Sequence, residues 1–355
     1  MIKFPRHKLL YWWDSTMKET QQEENSFLWR EELLKFGSVY FFMALINLRV
    51  KLSMARAWFD GGLLDNHQHL LAFQYMNNEQ SRLLQFYIPE TLHRLFGLSV
   101  VHAYILQRFL FVLAAFICFH FYLRRWFDAK LTFAGVTFLA AIMPLAYFNE
   151  LQESAPLLLL TFLLALWAIR EHRTVWYILI MTIGAANNET MLILPAVFFF
   201  YNFKGFEPKR LIRLSLITLG SSLPAYVLVG TIRYINRDRP RLAAAWQWPN
   251  NIHGIWQQFD TSPIDYWAAS YFYIFFIFGA FWLYAFLEYT KKPLFLQRTA
   301  LMIPLFILAH LLTSIISEVR LMLPLAFVII PMAFFYLFPE NEVQTHSKLD
   351  SKISG

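Results

Sequence analysis

Four short stretches of this sequence bring together side chains able to move protons or hold anions. The first contains Asp60 and then Leu64-Asp65-Asn66-His67-Gln68-His69. A carboxylate such as Asp65 can take a proton from a hydroxyl as a general base. Equally, Asp60 can cap a helix N-terminus, and Asp65 can cap a helix that starts near Asn66. His67 and His69 could ligate a divalent metal on irregular backbone, but no third ligand stands at a diagnostic spacing, so the sequence requires no cofactor. The second stretch carries Glu150 and Glu153, the third is Asn188-Glu189-Thr190, and the fourth is Glu318-Val319-Arg320. The planar fork of Arg320 suits a phosphate; a local Glu–Arg pair or a snorkelling arginine is the plainer reading. Arg108 stands apart, in the middle of an apolar run. At that depth it should meet a buried carboxylate rather than lipid. Asn188-Glu189-Thr190 is formally a glycosylation triplet, which its depth argues against. The 12 glycines are scattered and form no phosphate loop.

The elements that must position these groups follow from composition. Of 355 residues 57% are apolar and only 15% charged, with 37 Phe and 12 Trp. Soluble domains lie nearer ~45–50% and ~25%. So few charges cannot cover so much apolar surface in water. The expected class is an all-α polytopic membrane protein of about ten transmembrane helices. The apolar runs are continuous, as in Leu157–Trp167 and Leu321–Phe338, which excludes the alternating strands of an outer-membrane barrel. Cys118 is the sole cysteine, so an intrachain disulfide and cysteine-based zinc or iron–sulfur sites are excluded. The net charge of +7 points to cytoplasmic loops and not to nucleic acid.

Residues 1–32 are polar, with no h-region or cleavage site ahead of the first span, so no removable signal peptide is expected. Apolar runs lie near 36–52, 99–121, 131–148, 155–169, 174–186, 190–203, 211–232, 267–289, 299–316 and 321–338. Basic residues cluster after alternate runs: Arg124, Arg125 and Lys130; Arg170 and Arg173; Lys204, Lys209, Arg210 and Arg213; Lys291, Lys292 and Arg298. The intervening short turns hold only Arg320, although the two long loops on that side also carry arginine. This bias puts both termini in the cytoplasm. The organisation expected is a cytoplasmic segment 1–32, a membrane domain 33–338 and a cytoplasmic tail 339–355.

Residues 174–203 would span ~45 Å as one helix, long for one crossing. Two short crossings that meet at Asn187-Asn188-Glu189 fit both length and charge, and they place Glu189 in a hollow that opens outward. The long loop 53–98 should carry surface helices near 66–77 and 81–97. The loop 233–266, with Arg233, Arg237, Arg239, Arg241, Trp246, Trp248 and Trp256, reads first as interfacial anchoring and second as sugar stacking. Asp60, Asp65, His67, His69, Glu150, Glu153, Asn188, Glu189, Glu318 and Arg320 all map to the non-cytoplasmic side. Polar turns are ordinary, but convergence of four of them on one face points to a functional cavity.

This pattern resembles the GT-C superfamily of membrane glycosyltransferases. Asp65-Asn66-His67-Gln68-His69-Leu70-Leu71-Ala72-Phe73 is similar to the Asp-Glu-His-Phe-Gln-type segment of the mannosyltransferase branch of N-glycan and GPI-anchor assembly. Ser317-Glu318-Val319-Arg320-Leu321-Met322-Leu323-Pro324 resembles that branch's His-Lys-Glu-x-Arg-Phe-x-x-Pro segment. The polar break at Asn188-Glu189-Thr190 is the third shared feature. Asn66, Ile316-Ser317 and the position of Pro324 depart from the pattern, and no large external C-terminal domain is present. The resemblance implies transfer of a sugar from a polyprenyl-phosphate donor, with inversion. In it Asp65 serves as the base and Arg320 lies near the phosphate, with Asp60, His67, His69, Arg108, Glu150, Glu153, Asn188, Glu189 and Glu318 around the substrates. It also implies a plasma-membrane or endoplasmic-reticulum location and a glycan, lipid or protein acceptor. The alternatives are a polysaccharide polymerase or ligase that uses the Arg-rich 233–266 loop, and a transporter or flippase, against which the one-sided acids and the lack of paired repeats speak.

Overall fold

Chain reversals in this protein are marked by side chains that satisfy helix ends. Ser99, in extended conformation, accepts from His102 N at 3.2 Å and starts a helix at Val100. Asp128 accepts from Leu131 N at 2.8 Å and starts the next at Ala129. Each side-chain oxygen replaces a backbone partner that the first helical turn lacks.

The computed structural model describes residues 6–146, 151, 153–240, 246–260, 277–316 and 318–339. The described residues hold helices and no strand. In chain order these are α1 (Arg6–Met54), α2 (Gly62–Leu71), α3 (Asn77–Gln80), α4 (Leu83–Phe96), α5 (Val100–Leu123), α6 (Ala129–Ile142), α7 (Ser154–Arg170), α8 (Thr174–Asn187), α9 (Leu194–Asn202), α10 (Pro208–Ile235), α11 (Trp248–Asp260), α12 (Phe281–Phe286), α13 (Leu294–Ala300), α14 (Met302–Thr313) and α15 (Ala326–Leu337). Tight 3-10 turns at Met143–Ala146, Glu189–Ile193 and Val319–Leu325 extend α6 and lead into α9 and α15.

Six segments are long and apolar enough to cross a membrane: Arg30–Met54, Val100–Leu123, Ala129–Ala146, Pro208–Ile235, Leu294–Thr313 and Val319–Leu337. Three shorter apolar helices accompany them, Ser154–Arg170, Thr174–Asn187 and Glu189–Asn202. The run expected near 267–289 falls partly outside the described residues.

The core is built around α15. The most apolar window of Val319–Leu337 is 83% buried, against 17% for Arg30–Met54 and 22% for Pro208–Ile235. The outer faces of α1 and α10 therefore expose Phe42, Ile46, Leu216, Leu219, Leu223 and Val227. Apolar surface of this extent is untenable in water but neutral against acyl chains. Together with the span lengths it makes the chain a helical membrane protein.

The first helix runs unbroken from Arg6 to Met54, so the polar stretch before residue 33 is helical and continuous with the first span. At 1.5 Å per residue it is roughly 70 Å long, about twice the ~30 Å bilayer core.

The reversal near Asn188 is present. Tyr177 stacks on Phe198 at 5.1 Å and His172 on Tyr201 at 5.2 Å, so residues 172–187 and 189–202 run antiparallel. A Cβ on Gly184 would lie 2.6 Å from Met191 Cε and 2.8 Å from Thr161 Oγ1, so glycine permits the close approach of α8, α7 and the turn. The loop helix α4 lies close to the expected 81–97, whereas α2 runs from Gly62 to Leu71, earlier than the expected 66–77. Helix α11 lies against the end of α14: Asn251 Nδ2 donates to Leu311 O and Ser314 O at 2.8 and 2.7 Å, and its Oδ1 accepts from Ile316 N at 3.0 Å. Trp246, Trp248 and Trp256 are exposed beside it, as interfacial anchors are.

Candidate functional site: an arginine-lined cavity

Helix α8 stops at Asn187 because Asn188 turns to extended backbone (φ −159°, ψ 129°). Asn188 Oδ1 accepts from Thr190 N at 3.0 Å and starts the Glu189–Ile193 turn. Asn187 Nδ2 donates to Ser154 O at 2.7 Å and Asn188 Nδ2 to Ser154 Oγ at 3.3 Å, which ties the break to the first turn of α7. The side chains of Glu189 and Thr190 then line a cavity of about 570 Å³.

Three further elements close that cavity. The last turn of α10 contributes Arg233, whose Nε and Nη2 donate to Glu189 Oε1 and Oε2 at 2.5 and 2.6 Å. Its Nη1 donates to Asn77 Oδ1 and, at 3.3 Å, to Asn78 Oδ1. The long loop between α1 and α5 contributes Asn78 and Arg82, held there as Asn77 N donates to Pro240 O at 2.9 Å and Asn77 Nδ2 to Asn236 O at 2.5 Å. Helix α14 contributes Ala309, His310 and Thr313, and Leu192, Ile193 and Leu321 supply apolar wall. His310 is 7% exposed. Its Nδ1 donates to Phe306 O at 2.8 Å and its Nε2 faces Thr190 Oγ1 at 3.4 Å.

A cluster of paired charges stands behind the wall. Glu79 is 3% exposed, and its Oε2 has no hydrogen-bond partner among the described residues. Burial pushes its carboxyl above the usual range, against the pull of Arg82 and Arg320. Burial lowers the Arg82 guanidinium, which also feels Glu79, Arg320, Glu189 and Glu318. Arg320 pairs with Glu318 through Nη2 at 2.7 Å and Nε at 3.1 Å. Three arginines and three glutamates thus form one group, in which burial opposes the ionisation of Glu79.

The expected site residues divide between this cavity and other places. Asn188 and Glu189 line it, and the Glu318–Arg320 pair belongs to its charge cluster. Asp65 does not line it. Its side chain is 71% exposed and lies 3.5 Å from His69 Nδ1 on α2. Nor does Asp65 cap a helix that starts near Asn66: α2 begins at Gly62, with Gly61 as its N-cap at φ 97°, a left-handed conformation suited to glycine. Asp60 Oδ1 accepts from Gly62 N at 3.2 Å, a turn just ahead of the helix.

His67 and His69 do not converge. His69 is exposed, and its Nδ1 lies 2.9 Å from Asp65 O. His67 points into the core, accepting from Tyr104 OH at Nδ1 (3.2 Å) and donating from Nε2 to Glu90 Oε2 (3.0 Å). Burial lowers the His67 pKa, while Glu90 opposes the shift. Among the described residues no group of three His, Cys, Asp or Glu is placed to hold a metal ion.

Arg108 meets the buried carboxylate that its depth demands. It donates to Glu153 Oε2, and Lys51 Nζ lies 3.2 Å from Glu153 Oε1. Glu153 is 1% exposed. Burial would raise its carboxyl, but Arg108 and Lys51 hold it below the usual range. Glu153 and Arg108 therefore clamp α1, α5 and the start of α7 together, away from the cavity lining. Glu150 lies outside the described residues.

Arg82, Arg233, His310, Asn77 and Asn78 were not singled out by sequence as residues of one site. Arg233 stood in the Arg-rich loop, and His310, like Arg108, was a polar side chain inside an apolar run, which was a usable signal. For Arg82 and the asparagines there was none, because long-loop residues gain a position only from the fold.

Comparisons with family models, curated proteins and solved structures return no match for this chain.

Proposed function

We propose that this chain is an integral-membrane glycosyltransferase that moves a sugar from a polyprenyl-phosphate donor to an acceptor hydroxyl on the non-cytoplasmic side. The observation that carries the reading is the cavity itself, in which the guanidiniums of Arg82 and Arg233 share one hollow with the apolar wall of Leu192, Ile193, Ala309 and Leu321. That combination suits an amphiphile with a phosphate head and an isoprenoid tail. The reading takes both termini as cytoplasmic and counts about ten crossings. The basic connections then lie at the end of the bundle opposite Glu189.

In this reading the phosphate oxygens displace Glu189 from the fork of Arg233, and Arg82 faces the same group. Attack by the acceptor oxygen on the anomeric carbon breaks its bond to the phosphate oxygen. The configuration inverts, and the departing phosphate gains a second negative charge. Preorganised guanidiniums aimed at that charge stabilise it more in a low-dielectric cavity than in water. Asp65, on the exposed face of α2, does not enter this step.

The test is transfer from a panel of polyprenyl-phosphate sugars in membranes, wild type against Arg233→Ala and Arg233→Lys. A charged hydrogen bond contributes about 1.5–3 kcal/mol, so Arg233→Ala should slow transfer roughly 10- to 100-fold. Lysine should restore only part of it, because it lacks the planar fork. Wild-type activity in Arg233→Ala removes this residue from the donor site. A wild type that moves intact donor across vesicles without cleaving it makes the protein a transporter and ends the proposal.

A further inference from the structure

Among the described residues three buried histidines have both ring nitrogens in contact with polar atoms, and one of them is built differently. His67 has the Tyr104 phenol at Nδ1 and the Glu90 carboxylate at Nε2. His120 repeats the arrangement with Tyr40 at Nδ1, 2.8 Å, and Glu32 at Nε2, 3.3 Å. A carboxylate on Nε2 fixes the hydrogen there, so neither ring has a lone pair aimed at a ligand. His310 has the opposite polarity. Phe306 O can only accept, so Nδ1 carries the hydrogen and the lone pair sits on Nε2. That lone pair faces the cavity, where its contact is a long one, 3.4 Å to Thr190 Oγ1. The ring is held by a stack on Phe306 at 4.4 Å.

We infer that His310 is the proton acceptor of the cavity, taking at Nε2 the proton of an acceptor hydroxyl that displaces Thr190 Oγ1 from beside it. The inference rests on the glycosyl transfer proposed above. In the step, the O–H proton passes to Nε2 as the oxygen bonds to the anomeric carbon. The anomeric carbon–phosphate oxygen bond breaks, and the lipid phosphate leaves with the electron pair toward Arg82 and Arg233. His310 becomes an imidazolium and later returns the proton to phosphate or water. The carboxylate lining the same cavity, Glu189, is engaged by both prongs of Arg233, whereas the imidazole nitrogen that lacks a hydrogen meets only the hydroxyl of Thr190, itself a lining residue, at the long distance of 3.4 Å.

The charged groups around His310 are Arg82, Arg233 and Glu189 in the cavity wall, Glu79 behind Arg82, and Glu318 and Arg320 on the neighbouring turn. On the packed helix α11, His253 is exposed.

The closing experiment compares wild type, His310→Gln, His310→Ala and Asp65→Asn for transfer rate against pH, with elution profile and donor binding as controls for folding. Loss of a general base costs ~10²–10⁴ in rate. His310→Gln should bind donor as wild type does, transfer at least ~100-fold more slowly, and lose the acid limb of the profile. Added imidazole should restore part of the activity of His310→Ala, and Asp65→Asn should stay active. An active His310→Gln with an unchanged profile overturns the inference while the transferase reading stands, and so does an inactive Asp65→Asn beside an active His310→Gln. A wild type that cleaves no donor ends both. If the His310 variants do not fold, the wild-type profile decides: a single-proton acid limb supports His310, and a profile with no acid limb overturns it.

Discussion

Removing the charge of Glu153 is the sharpest test of the packing described above. Glu153 is shared by Lys51 and Arg108, and all three side chains are at most 5% exposed. At the 3.2 Å separation of Lys51 Nζ and Glu153 Oε1, an effective dielectric of ~20 gives an attraction of about 5 kcal/mol. Arg108 adds to this, and the desolvation of the carboxylate, which Gln does not suffer, offsets much of the sum. The expected net loss in Glu153→Gln is therefore about 3–5 kcal/mol, the range for breaking a buried pair. Replacement of all three residues by Met removes the two cations as well and should cost much less than Glu153→Gln alone. The assay is reversible unfolding in mixed micelles, followed by helix signal. A Glu153→Gln protein within ~1 kcal/mol of wild type would show that water reaches the group, against the desolvation assumed here. A triple variant as unstable as Glu153→Gln would show that shape, not charge, matters at this position.

Two further outcomes test the fold. Gly184→Val should destabilise the α8 reversal by about 1–3 kcal/mol in the same assay, since its side chain would collide with Met191 and Thr161; wild-type stability would refute the close approach. In a protein lacking Cys118, single cysteines at Lys209 and Asp238 stand at the two ends of α10 and should react with an impermeant thiol reagent from opposite sides of the membrane; labelling of both from one side would refute the crossing.

Much of the architecture was legible in the chain because a bilayer imposes a simple rule: backbone groups must be satisfied within the segment, so long apolar runs become helices. The runs, the reversal at Asn187-Asn188-Glu189 and the need of Arg108 for a carboxylate all follow from length, depth and charge. Two of the four polar turns did contribute to one cavity or its charge cluster, at Asn188-Glu189 and at Glu318-Arg320.

What the sequence could not decide is which way a loop side chain points. Asp65 and His67 are two residues apart on α2, yet one faces outward and the other enters the core against Tyr104 and Glu90. On a helix two residues differ by about 200°, and the buried side was chosen by α4 and α5, which pack on it from later in the chain. Arg233 reaches Asn77 and Glu189 across separations of 156 and 44 residues. The lone pair of His310 is aimed by a backbone carbonyl one helical turn away. Local sequence determined that these residues sit at the ends or in the middle of apolar helices; only the packing of α3, α8, α10 and α14 against one another brought them to the same hollow.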